Sequence, residues 1–156
     1  MLGSSLIAQA KGPDAAEKKR VCDIAQDGMA EVKVGQLAEK KGSTAEVKDF
    51  GKRMVGDHTK ANDELKVAAR QDGVALPADV TAEQKSTYDE LSKLSGKSFD
   101  DKYMAEMVKG HDKAVVAIGK ESETGSGHLK EWAAKTIGTI KEHDKLAKHI
   151  DSDVTK

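Results

Sequence analysis

Cysteine, proline and aromatic residues are all scarce in this chain, and each scarcity excludes something. The single cysteine, Cys22, rules out an intrachain disulfide framework and a cysteine-rich metal cluster. Five aromatic residues (Phe50, Tyr88, Phe99, Tyr103 and Trp132) and two prolines are too few for the short strands and tight turns of a β-sandwich. No apolar run approaches the roughly 20 residues a membrane-spanning helix needs. Neither sign of charge dominates. Lys and Arg total 26 against 27 Asp and Glu, a net charge of -1, so no global basic field draws in nucleic acid. There is no Gly-rich phosphate loop, no G-x-S-x-G and no H-E-x-x-H.

What is abundant is charge in a mixed pattern, at 34% of 156 residues. That composition suits long amphipathic helices in one all-α domain. Four long helices are expected. The first runs from Pro13-Asp14 to Lys41 and stops at Gly42. The second runs from Ser43, whose Ser43-Thr44-Ala45-Glu46 is a capping-box pattern, to about Asp72, before Gly73. The third starts at Ser98, with Asp100 and Asp101 in its first turn, and ends near Thr124. The fourth runs from Ser126-Gly127 to about Asp151. Between the second and third, a shorter helical pattern covers Thr81 to Leu94. The helical domain is therefore 13–151, with a polar tail at 152–156. Residues 1–12 form a tail or, from Ala8-Gln9-Ala10, the remnant of an export signal. Mass spectrometry of the protein from its native host tests the latter, since an intact Met1 would remove the export argument.

Tight turns join helices one to two and three to four, so each pair is an antiparallel hairpin. A helix of 28 residues is about 42 Å long. The connection between the pairs, a short helix plus extended chain, is long enough to climb that height. Two hairpins joined by one crossover give ferritin-like connectivity; a simple up-down bundle with a decorated loop is the competing topology.

Steps of three and four residues trace the buried stripes. Val47, Phe50, Met54, His58, Ala61, Leu65 and Ala68 form one. Met107, His111, Ala114 and Ile118 form another, and Leu129, Trp132, Thr136, Ile140, His143, Ala147 and Ile150 a third. In the first helix, Val21, Ile24, Gly28, Glu31, Gly35 and Ala38 fit the same template. Glu31, His58, His111 and His143 all lie within about one turn of mid-helix, so each long helix sends one ligand-type side chain to a common level. Burying four such groups is costly unless they satisfy one another or bind something. Three imidazoles and a carboxylate suit Zn(II), Fe(II), Mn(II) or Cu(II). The alternative is a hydrogen-bonded protein network in which Glu31 accepts from one or two imidazole N–H groups, with Asp27, Asp57 or Tyr103 orienting the others. Asp27, one turn away, is a substitute for Glu31. Met54, Met104 and Met107 lie a turn from the histidines, and gap filling is their expected role. His128 and His149 fall outside the common level.

The residues also carry a resemblance. Gly28-Met29-Ala30-Glu31-Val32-Lys33-Val34-Gly35-Gln36-Leu37-Ala38, Val47-Lys48-Asp49-Phe50-Gly51-Lys52-Arg53-Met54-Val55-Gly56-Asp57-His58, Leu94 to Tyr103 and Gly110-His111 are similar to a bacterial domain family labelled "predicted outer membrane protein". The resemblance covers about residues 15 to 150. It implies a ferritin-like bundle in a mostly exported, periplasmic or envelope protein, and no established activity. A di-iron carboxylate site needs Glu-x-x-His on two helices. Here Val55 stands three before His58 and Ile140 three before His143, which argues against oxidase or ferroxidase chemistry. The sequence thus points to an exported bundle holding one transition-metal ion for metal handling or stress protection. The alternative is a structural or interaction protein of the cell envelope with a polar core layer and no metal. A protein partner or a homo-oligomer is compatible with both.

Overall fold

The computed structural model describes residues 12–156 and contains five helices, with no strand among the described residues. They are α1 (Ala15–Lys41), α2 (Ala45–Gln71), α3 (Ala82–Ser92), α4 (Gly96–Thr124) and α5 (Gly127–Val154). The reading of residues 1–12 falls outside the described residues except for Gly12.

Helix α1 starts where Asp14 accepts a hydrogen bond from the Glu17 backbone N–H at 2.8 Å. Two expected starts move. The α2 cap is Thr44, which accepts from the Val47 N–H, whereas Ser43 donates its hydroxyl to Asp100 of α4 at 2.5 Å. Helix α4 begins at Gly96 rather than Ser98, and Ser95 caps it without a side-chain bond. Gly96 has φ +59°, a left-handed turn that glycine makes without strain. At the other end of the chain α5 continues to Val154, so most of the expected polar tail is helical.

The two hairpins are α1–α2 and α4–α5; α1 also flanks α4 and α2 flanks α5. Contacts at the ends fix the direction of each helix. Ser43, at the α1–α2 turn, meets Asp100 in the first turns of α4. At the opposite end Asp72, just after α2, accepts from the Leu129 N–H of α5 at 2.8 Å, and Arg20 of α1 pairs with Glu121 of α4 at 2.7 Å. Helices α2 and α4 therefore run in the same direction, and the chain between them crosses the full height. It climbs along α1: Cys22 meets the Ala75 carbonyl, Gln26 that of Asp79, and Lys41 that of Leu94. This is the ferritin-like connectivity, not the simple up-down bundle.

The core has two apolar halves. One gathers Phe50, Met54, Phe99, Tyr103, Met104 and Met107 with Ala147 and Ile150. The other gathers Ile24, Leu65, Ile118, Leu129, Trp132 and Ile140. Along α2 the first half ends at Met54 and the second begins near Leu65; along α4 the corresponding residues are Met107 and Ile118, and along α5 Ala147 and Ile140. His58, His111 and His143 occupy the gap.

Candidate metal centre

Each histidine reaches the gap because its position on a buried stripe leaves the side chain nowhere else to point. His58 is 6% exposed, His111 1% and His143 0%. Their rings form a nearly equilateral triangle. Centroid separations are 5.6 Å for His58–His111, 5.4 Å for His58–His143 and 5.5 Å for His111–His143. One ligand nitrogen from each residue lies within 4.8 Å of the other two. Three buried histidines so arranged could hold a metal ion.

Hydrogen bonding sets the tautomers of two rings. His111 Nδ1 lies 2.9 Å from the Met107 carbonyl one turn back. A carbonyl only accepts, so Nδ1 carries the proton and Nε2 keeps its lone pair. His143 Nε2 lies 2.8 Å from Asp57 Oδ2; it donates to the carboxylate, and Nδ1 keeps its lone pair. No protein group satisfies the nitrogens so freed. His111 Nε2, His143 Nδ1 and His58 Nε2 are all buried without a partner. The imidazoles therefore do not bond one another, which a self-satisfied polar layer would require.

Electrostatics keep the rings neutral. Burial, with His111 and His143 adding to it, lowers His58 from 6.5 to about 3. Burial lowers His111 to about 4 in spite of its bond to the Met107 carbonyl. Burial also lowers His143, against the opposing pull of Asp57. For Asp57 itself burial works against the charge, but hydrogen bonds from His143 and Arg53 hold it below the usual carboxylate range. A carboxylate behind an imidazole is the arrangement that orients metal-ligating histidines.

The structure brings three of the four expected ligands together and leaves Glu31 apart. Glu31 is not among the groups whose ligand atoms are mutually close. It is half-buried on α1, beside α4, where a Cβ on Gly110 would sit 3.1 Å from its Oε1. Its Oε2 is buried and without a partner. Burial, reinforced by the nearby Asp27, raises Glu31 from 4.5 to about 8. It lines a cavity that His58 and His111 also line.

Of the residues expected to orient the rings, Asp57 does so. Asp27 instead accepts from Gln84 of α3 at 2.7 Å, and the Tyr103 hydroxyl is buried with no partner. The Met107 carbonyl was not foreseen. Its signal was available, because a histidine within a helix can reach the carbonyl one turn behind it. The thioethers of Met54, Met104 and Met107 belong to the apolar core. His128 bonds Asp72 at the end of the bundle, and His149 pairs with Asp153 at the surface. Among the described residues no helix is long and apolar enough to cross a membrane.

A family model described as "Domain of unknown function (DUF4142)" matches residues 3–150; that description carries no outer-membrane label. Among solved structures, the chain is similar to the "Crystal structure of DUF305 fragment from Deinococcus radiodurans". The TM-score is 0.78 and the identity 10%, over 92% of this chain and 99% of that one. At that identity the likeness shows the fold alone. No curated protein matches the chain.

Proposed function

The chain belongs to the DUF4142 family, and from that premise we propose that this member binds one transition-metal ion through His58, His111 and His143. The observation that carries the reading is the set of three converging rings, each with one buried nitrogen that no protein group satisfies. Unpaired buried polar atoms are rare in native proteins and demand a reason. Their neutral lone pairs are in the form a metal requires.

Imidazole donors suit Zn(II), Cu(II) and Fe(II), with Mn(II) the weakest of the four. Zn–N bonds near 2.0–2.1 Å put tetrahedral ligand nitrogens about 3.4 Å apart, so modest side-chain rotations close the triangle on an ion. Three protein ligands leave a fourth position; Glu31, set apart from the three rings, lines the cavity beside it rather than binding the ion. The role is metal handling or envelope stress protection in an exported, periplasmic protein. The envelope location rests on the resemblance carried by the segments around Glu31, His58 and Tyr103, and fractionation of the native host tests it.

Elemental analysis of untagged protein from its own host, followed by calorimetric titration of chelator-treated protein, tests the metal. We expect one equivalent of metal per chain, and His111→Ala should abolish binding. If none of the four metals binds with a dissociation constant below about 100 μM, the reading fails. His111→Ala would then cost only stability, about 1–3 kcal/mol.

A further inference from the structure

The histidine cluster lies against a cavity of about 470 Å³ between α1, α3 and α4, floored in part by α2 and α5. His58 and His111 line it, whereas His143 is closed off from solvent and does not. The cavity is within the size range of small-molecule sites. Its walls combine three features. Ile24, Leu91, Met107 and Trp132 give apolar surface. Glu31 brings a carboxylate whose Oε2 has no partner. Besides Glu31, four acidic side chains line it against only two lysines, so it disfavours anions.

We propose that this cavity is a ligand site opening on the fourth coordination position of the metal. It takes a small neutral molecule with a metal-binding nitrogen at one end and an N–H at the other, the chemistry of an azole. The inference rests on the three-histidine reading above. The nitrogen lone pair fills the position the histidines leave, the ring packs on the apolar wall, and Glu31 accepts the N–H. An anion of similar size gains the metal contact but meets the surplus of carboxylates.

The test uses Co(II), which reports its ligands by its visible spectrum. The full-length protein is loaded with one equivalent and titrated with imidazole or with azide. Imidazole should change the spectrum saturably and bind about ten-fold more tightly than azide, since Glu31 accepts its N–H and the surrounding acids disfavour the anion. Glu31→Leu should weaken imidazole binding by about ten-fold, leaving azide binding and Co(II) affinity unchanged. Glu31→Gln keeps an acceptor oxygen and should restore most of the loss. Co(II) bound without any response to imidazole overturns this inference alone. So does azide binding more tightly than imidazole, or an imidazole affinity indifferent to Glu31→Leu. Failure of Co(II) to bind at all overturns the metal reading and this inference with it.

Discussion

At the scale of single residues the protein keeps three imidazoles buried and neutral, and this has a measurable cost in acid. His58 is held at about 3 in the folded chain, but its unfolded value is near 6.5. Between those values the unfolded state binds the extra proton, so the stability of metal-free protein falls as pH drops from about 6.5 towards 3. Glu31, raised to about 8, acts in the opposite sense. Its contribution is complete below about 4.5 and is lost as pH rises towards 8. In thermal melts with chelator present, His58→Leu should therefore gain on the natural protein progressively as pH falls from about 7 to 4. Parallel curves for the two would refute this. Asp57 supplies a second residue-scale prediction. Replacing it with Ala removes the acceptor that fixes the His143 ring and should weaken metal binding by about 10–100-fold. Glu142→Ala removes only the exposed partner of Arg53 and should leave the affinity unchanged in the same titration. The three histidines were legible in the sequence because each sits on a strong apolar stripe whose other members are large. Glu31 was placed less well, because its neighbours on the α1 stripe are Gly28 and Gly35, which constrain the helix's rotation weakly.

At the scale of elements, the hairpin α1–α2 depends on backbone approaching backbone. A Cβ on Gly51 would lie 2.7 Å from that of Ala38 and 2.8 Å from the Gly35 carbonyl oxygen. Neither is the free end of a flexible side chain, so the helices must part to admit it. Gly51→Ala should cost about 1–3 kcal/mol in urea or thermal unfolding, in spite of alanine's better helix propensity. Gly56, on the same helix, has nothing within 4 Å of an added Cβ, and Gly56→Ala should stabilise by about 0.5–1 kcal/mol. Equal effects at the two positions would remove the close-approach argument. Helix existence and length were legible from periodicity and from Gly and Pro punctuation. The caps were not. Ser43 and Thr44 are chemically equivalent candidates, and only Asp100, distant in sequence, decides between them by engaging Ser43. In the same way Asp72 of the α2 end and Glu17 of α1 satisfy the first turn of α5, where its own Ser126 makes no cap bond.

At the scale of the whole molecule, the crossover decides who meets at the axis. Because it carries the chain from one end of the bundle to the other, α2 and α4 run parallel on opposite corners, and α5 lies beside both. His58 and His111 still approach to 5.6 Å between ring centres, so they meet through the centre of the bundle. The three histidines thus come from both hairpins, and an ion held by them would tie together units that the crossover alone joins in sequence. Helix α3, with Leu91 its one buried residue, packs against α1 and α4 and contributes no ligand. Metal binding should therefore act on exchange of backbone amides by region. At a free metal concentration about 100 times the dissociation constant, binding contributes about 2.7 kcal/mol, or about 100-fold slower exchange for amides that open only when the hairpins separate. That slowing belongs around His58, His111 and His143 in α2, α4 and α5. Amides of α3 exchange by local opening that does not break the site and should keep their rates. Protection confined to one hairpin would mean that the ion does not bridge the two, and would exclude a centre shared by all three histidines.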